Sequence, residues 1–433
     1  MFWVTWQGDD PTPPGEVGNA VLYRRWENGT WSAINDILAV RAPLKLVLEG
    51  VEVDDLDHLN LLWRSIGQGD ATTLFLSQAH TSVADRAPAW TSQEVALPGQ
   101  AVRIQAHLSL EAGGRIHLFY VRDLAFLEYT VSEDYGISWS RPVVISDKGA
   151  EIPKAAIDAK GYLHVTWTYS DLPQLRKGIA SSPNREAVVY ARSTDDGTTW
   201  DMQEIQARAP EESTVAFSNV IVRNGNEIHL AWNRGAGSQL GRYHAWSPDN
   251  GATWKEPQPI LDDFVSGQTH RPRMVVDSAR TLHLLTIGGR TYGPHYAYWK
   301  GATWSSMHSL SEGRIEDLGA AMALGLGNTL HVVYESTAHG NRLVYTALDT
   351  GAPAVPAERI PEPMADPVLA TQAPTPHTVS ERKETPTPQV LVFDQSAPGG
   401  MGSTDRWMSV GLPLIPVVLL LLGVIIWNVA RRQ

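Results

Sequence analysis

Short runs in which apolar and polar positions alternate recur along the first 350 residues. One set reads FWVTW ending at Trp6, LNLLW at Trp63, IHLFY at Tyr120, LHVTW at Trp167, IHLAW at Trp232, LHLLT at Thr286 and LHVVY at Tyr334. A period of two puts successive side chains on opposite faces, the signature of a half-buried strand. A companion set follows at short distance: LEYTV, VVYARS, RYHAWS and HYAYW. No long amphipathic helical pattern interrupts the series.

The companion strands run into a turn motif. SEDYGISW (Ser132–Trp139), STDDGTTW (Ser193–Trp200) and SPDNGATW (Ser247–Trp254) share S-x-D-x-G-x-[ST]-W. Weaker versions are WENGTW ending at Trp31 and YWKGATW ending at Trp304, with a further candidate at Trp90. The closing tryptophans therefore recur every fifty to sixty residues or so, a period that belongs to radial repeats. Glycine supplies the positive φ of a tight turn, and the Asp carboxylate can accept backbone N–H groups. The Trp is expected to pack between neighbouring units. Ser132, Asp134, Gly136, Trp139, Ser193, Asp195, Gly197, Trp200, Ser247, Asp249, Gly251 and Trp254 are accordingly read as fold residues, not as chemistry.

Units of about fifty residues with four strands each predict an all-β chain: a six-bladed, alternatively seven-bladed, β-propeller over residues 1–350. An array of sandwiches would need linkers, and a parallel β-helix has shorter coils. Seven copies of the LHVTW-type strand stand against six closing tryptophans. The first unit lacks a leading strand and the last lacks a clear trailing one. The expectation is that residues upstream of Met1 are missing.

The C-terminal part changes character. Residues 351–406 are Pro-rich without hydrophobic periodicity (PAVPAERIPEPMADP, APTPHT, ETPTPQ), which predicts an extended stalk. Within it, Gln389–Phe393 (QVLVF) reads as a short strand that docks on the domain. Met408–Ala430 carries no charge and is long enough for a bilayer core of about 30 Å. Arg406, Arg431 and Arg432 bracket it, and Trp407 and Trp427 sit near its ends. Residues 407–430 are thus expected to be a transmembrane helix and 431–433 a cytoplasmic tail, with the propeller extracytoplasmic. The N-terminus, MFWVTWQGDD, has no signal-peptide pattern, which conflicts with export: either the true start lies upstream, the favoured expectation, or export takes another route.

Composition narrows the chemistry. A net charge of −12 argues against nucleic acid as partner. With no Cys there are no disulfides, thiolate metal sites or Cys nucleophile, and a bacterial source is favoured. His117, His164, His229, His283 and His331 recur at one strand position. Equivalent positions on splayed blades are too far apart to share an ion, so no metal and no cofactor is expected.

The S-x-D-x-G-x-[ST]-W turn resembles the Asp box, or BNR repeat, of sialidases and related propellers. That resemblance implies three arginines gripping a sialic acid carboxylate, a Tyr nucleophile activated by a Glu, and an Asp acid/base. An arginine fork suits a carboxylate, and a neutral Tyr avoids repulsion by it. The sialidase Arg-Ile-Pro signature occurs only at Arg359-Ile360-Pro361, inside the stalk, where it reads as coincidence. The candidates carried over are Arg41, Arg271, Arg273 and Arg290 for substrate, and Tyr292, Glu335 and Asp123 for catalysis. Arg41, Arg271 and Arg273 are expected at the starts of inner strands. Arg64, Arg122, Arg234 and Arg290 follow the LHVTW-type strands and are expected to ring one opening.

Three functions remain open: a membrane-anchored propeller that binds a glycan or a surface protein at its mouth, an active exo-α-sialidase, and a non-catalytic assembly scaffold. The missing Arg-Ile-Pro strand favours the first.

Overall fold

The computed structural model describes residues 2–9, 18–27, 30–41, 43–98, 101, 103–170, 186–209, 212, 214–235, 241–261, 271–288, 293–310, 320–336 and 342–355. The stalk beyond residue 355 and the apolar segment Met408–Ala430 lie outside them. Among the described residues no helix is long and apolar enough to cross a membrane.

The strands form consecutive antiparallel sheets, as alternating runs joined by short turns must. The first holds β1 (Phe2–Asp9), β2 (Gly18–Glu27), the short β3 (Thr30–Trp31) and β4 (Asn35–Arg41). The second runs β5 (Lys45–Val53), β6 (His58–Ile66), β7 (Thr72–His80), β8 (Thr91–Glu94). The third runs β9 (Ile104–Glu111), β10 (Arg115–Arg122), β11 (Phe126–Ser132), β12 (Val143–Ser146). The fourth runs β13 (Glu151–Ile157), β14 (Leu163–Ser170), β15 (Glu186–Ser193), β16 (Asp201–Ala207). The fifth runs β17 (Thr214–Arg223), β18 (Glu227–Gly235), β19 (Gly241–Ser247), β20 (Gln258–Leu261). The sixth runs β21 (Arg273–Val276), β22 (Leu282–Gly288), β23 (Gly293–Tyr298), β24 (His308–Ser309). The seventh has β25 (Ala320–Gly325), β26 (Thr329–Ser336) and β27 (Arg342–Asp349).

The expected six four-stranded sheets are present, and a three-stranded seventh stands between the sixth and the first. The strands β5, β9, β13, β17, β21 and β25 pack one on the next and line the axis. Each core is shared by two neighbouring blades, as the third and fourth share Phe119, Tyr129, Val165 and Trp167.

The turn tryptophans make that sharing specific. Trp200 of the fourth blade meets Tyr129 of the third edge-on at 5.6 Å, and Trp254 of the fifth meets Tyr190 of the fourth at 4.9 Å. Trp304 of the sixth stands 5.2 Å from His244 of the fifth. Trp31 of the first blade meets Tyr345 of the seventh at 5.5 Å, which closes the ring. Such aromatic pairs contribute about 0.5–1.5 kcal/mol each beyond burial.

Within each turn the motif bonds to itself. In the third blade Ser132 Oγ donates to Asp134 Oδ1 (2.8 Å) and accepts from the Gly136 N–H (2.7 Å). Asp134 also accepts the Ser138 N–H and hydroxyl, at 2.8 and 2.6 Å. The same pattern recurs around Asp195 and Asp249.

The recurring histidines brace single blades. His117, His164 and His283 each accept at Nδ1 from the hydroxyl of Tyr129, Tyr190 or Tyr296 on the next strand, at 2.7–2.8 Å. His283 Nε2 donates to Asp277 at 3.0 Å and His117 Nε2 to Glu111 at 2.9 Å. Among the described residues no group of acids and histidines is arranged to hold a metal ion.

Candidate functional site

The strand order gives the ring two unlike faces. On one lie the Asp-box turns and the turns joining first to second strands. On the other, the mouth face, each innermost strand begins and each second strand ends. Polar side chains of the innermost strands line the axis, buried or half-buried.

They come from five consecutive innermost strands. β5 contributes Glu49 and Glu52, β9 contributes Gln105 and His107, β13 contributes Lys154, β17 contributes Asn219, and the segment entering β21 contributes Arg271 and Arg273. Lys154, Arg271 and Arg273 are 5–6% exposed. Arg271 and Arg273 are two residues apart, so an extended chain turns both side chains to one side.

Bulges aim these groups. The pairing of β5 with β6 skips at Glu49, that of β13 with β14 skips between Glu151 and Lys154, and that of β17 with β18 skips between Ala216 and Asn219. An extra residue in one strand bends it and redirects its side chains. Ile152 and Phe217, inside two of these bulges, adopt φ of 55° and 59°. Bulky residues there carry strain of about 1–3 kcal/mol and need support. Gln105 Oε1 accepts the Ile152 N–H (2.7 Å), Arg271 donates from Nη2 to the Ile152 carbonyl (3.2 Å), and Thr168 Oγ1 accepts the Phe217 N–H (3.2 Å).

Glu49 is engaged by Arg64 at 2.5 Å and also accepts the Ala106 N–H. His107 donates from Nε2 to the Ala155 carbonyl at 3.2 Å, which leaves Nδ1 as the acceptor facing Lys154 Nζ at 3.0 Å. Burial, then the neighbouring Arg271 and Arg273, hold the Lys154 ammonium well below its ordinary pKa. Burial and the adjacent Arg273 do the same to Arg271, and burial brings Arg273 down to about 10. Burial pushes the half-buried Glu52 up to about 7, against the pull of Lys154. Arg271 Nε and Nη1 are buried without a hydrogen-bond partner. Among the described residues Glu49, already held by Arg64, and Glu52 are the carboxylates that act on Lys154, and Glu49 acts on Arg271. An anion such as a carboxylate would satisfy the arginine forks.

Of the residues singled out in the sequence, the structure brings Arg271 and Arg273 together. Arg41 does not begin an inner strand: it is exposed at the end of β4, the outer strand of the first blade, before β5 starts at Lys45. Asp123 occupies the turn between β10 and β11 with φ 58°, where its carboxylate accepts the Arg103 N–H at 3.2 Å. Glu335 lies in β26 opposite Leu343, and its side chain is outside the described residues. Arg290 and Tyr292 are outside them too. Arg64, Arg122 and Arg234 are each held by a carboxylate, Glu49, Glu128 and Glu212.

Sequence reading missed Glu49, Glu52, His107 and Lys154. Lys154 could have been noticed as a lone cation in the otherwise apolar half of the strand EIPKAAI. A Tyr–Glu cross-strand pair does exist at Tyr120 and Glu128. Tyr120 is fully buried and Glu128 is gripped by Arg122 at 2.9 and 3.1 Å, so the pair is a packing feature.

No protein-family model and no curated protein matches the chain. Among solved structures it is similar to the Hadza microbial sialidase Hz136, at 13% identity and TM-score 0.49, over 77% of this chain and 73% of that one. It is also similar to the α-L-arabinofuranosidase Arb93A from Fusarium graminearum (13% identity, TM-score 0.46, 72% of this chain and 94% of that). A third likeness is to the Trypanosoma rangeli sialidase in complex with sialic acid (12% identity, TM-score 0.46, 80% of this chain and 59% of that). These likenesses carry no argument about chemistry; the propeller rests on the order of its sheets.

Proposed function

We propose that this protein is a membrane-held propeller that binds an acidic glycan, taking a sugar carboxylate at its mouth. The observation that carries the reading is the buried cluster of Lys154, Arg271 and Arg273, in which Arg271 keeps two N–H-bearing nitrogens without a hydrogen-bond partner. Buried guanidinium N–H groups without an acceptor are costly, so Arg271 favours an anionic ligand. Anchoring is supported by the charge-free run Met408–Ala430 and by Arg431 and Arg432 beyond it. An exo-α-sialidase would use the same arginines, with Tyr292 and Glu335 as its nucleophile pair. A scaffold would leave the cluster without a small ligand.

The test is binding of sialyllactose and of glucuronate oligosaccharides to the full chain in detergent, with lactose as the neutral control. Acidic sugars are expected to bind at least about tenfold tighter, a gap of about 1.4 kcal/mol. Equal binding of lactose would overturn the reading, and release of fluorophore from a fluorogenic sialoside would move it to the enzyme.

A further inference from the structure

The first blade departs from the other six in one respect. In those, the LHVTW-type strand is second and has an innermost strand on its axial side: β5 on β6, β9 on β10, β13 on β14, β17 on β18, β21 on β22, β25 on β26. In the first blade the strand of this type is β1, which pairs with β2, as β14 pairs with β15. No described strand pairs with the other edge of β1. The second blade shows the consequence, since β5 packs against β1, β2 and β4, with no described innermost neighbour on that side. An unpaired edge at the axis leaves backbone N–H and C=O groups to be satisfied.

Three innermost strands end in the same way: apolar, any residue, apolar, then Asp. These are Val51-Glu52-Val53-Asp54, Ala155-Ala156-Ile157-Asp158 and Met274-Val275-Val276-Asp277. The aspartate then caps the turn into the second strand, accepting the N–H of His58, Tyr162 or Thr281. The C-terminal region contains the same signature once more, Leu391-Val392-Phe393-Asp394, at the end of the run QVLVF. The outer strands VVIS and QPIL are also followed by an aspartate, Asp147 and Asp262, so the ending alone does not mark an inner strand, and the choice of β1 rests on its axial edge.

We propose that Gln389–Phe393 is the innermost strand of the first blade, antiparallel to β1, with Asp394 at the turn face. The reach is ample. Residues 356–388 can extend about 3.3 Å each, roughly 100 Å in all, against a domain about 50 Å across. The six described innermost strands all run from the mouth face to the turn face. A seventh in the same sense leaves the chain at the turn face shortly before Met408. Given the membrane anchoring proposed above, the turn face then looks toward the bilayer, and Lys154, Arg271 and Arg273 open away from it.

The chain has no cysteine, so an introduced pair can form one intramolecular disulfide only. In the full chain in detergent, Thr5→Cys is combined in turn with Val390→Cys, Leu391→Cys and Val392→Cys. One combination is expected to cross-link, because paired strands bring Cα atoms within disulfide range. The same three cysteines are tested against Thr346→Cys in β27, whose outer edge also lacks a described partner. Cross-linking there in place of β1, or at neither site, overturns the proposal. Hydrogen exchange on the unaltered chain gives an independent reading. Amides of residues 390–393 are expected to be protected at least about a hundredfold over those of the Pro-rich flank. Exchange as fast as the flank's overturns the proposal.

Discussion

Arg271 reaches across the axis to a strained peptide: its Nη2 donates to the carbonyl of Ile152 at 3.2 Å, from the sixth blade to the fourth. Ile152 sits in a bulge at φ 55°, an unfavourable place for a β-branched residue. Gln105 of the third blade holds the N–H of the same residue. Three blades thus fix one distorted peptide beside the cation cluster, and the strain lies where a ligand would meet the fold.

Arg271 is costly to the fold in the absence of an anion, because it is buried beside Arg273 and Lys154. Replacing a buried charge by an apolar side chain of similar volume is often neutral or stabilising. Arg271→Met is expected to raise the stability of the ligand-free protein by about 1–2 kcal/mol and to abolish binding of acidic sugars. Thermal unfolding and calorimetric titration check the two halves. A variant that loses stability and retains binding would show that Arg271 serves the bulge alone.

The blade repeat was legible because the turn motif does one job in every copy: the glycine clears a side chain of the preceding blade, Leu76 at Gly136, Tyr129 at Gly197 and Tyr190 at Gly251, and the tryptophan packs on that blade. The axial cluster was hidden for the opposite reason. Glu49, His107 and Lys154 stand at positions that no repeat marks, and the bulges at Glu49 and Ile152 break the alternation from which facing would be read. Arg41 was misplaced because VRAPLKLVL looks like one strand entrance, whereas the chain turns between β4 and β5. The histidines were aligned correctly, yet their acids six residues upstream were missed, as in Asp277 and His283 or Glu111 and His117.

Glu52 makes the cluster sensitive to pH near neutrality. Its carboxyl is raised from about 4.5 to about 7, so the folded state binds the extra proton between those values. The associated stability is full below 4.5 and is lost as pH rises through 7. Glu52→Gln is expected to remove that slope and to stabilise the protein at pH 8 by on the order of 1–2 kcal/mol. Without a carboxylate competing for Lys154, acidic sugars should also hold their affinity from pH 6 to pH 8. Urea midpoints and binding isotherms across that range decide it. An unchanged stability slope in the variant would remove Glu52 from the account.

The glycine of the turn motif can be tested against a glycine that needs only its backbone. Gly251 has φ 80°, and a Cβ there would lie 2.0 Å from the Tyr190 hydroxyl of the preceding blade. Gly301 has φ 94° with nothing within 4 Å of its Cβ position. Gly301→Ala should cost about 1 kcal/mol, the strain of the backbone alone. Gly251→Ala adds a collision with a buried ring and should cost about 3 kcal/mol or more. Equal losses by chemical denaturation would mean that blades can move apart to admit a methyl group.

The buried histidines set the acid limit of the fold. Burial pushes His164 and His229 down to about 4, overcoming the pull of Asp158 and Glu227. Between pH 6.5 and 4 the unfolded chain binds protons at these sites that the folded chain refuses. Stability is therefore full above 6.5 and drains away as pH falls through 4. Each histidine can contribute on the order of 2–3 kcal/mol to that loss. His164→Gln keeps a polar side chain opposite the Tyr190 hydroxyl and cannot take up the proton. It should lower stability at pH 7 and flatten the decline below pH 6.5, so the variant and the parent converge near pH 4. Parallel curves over that range would place the acid limit with other groups.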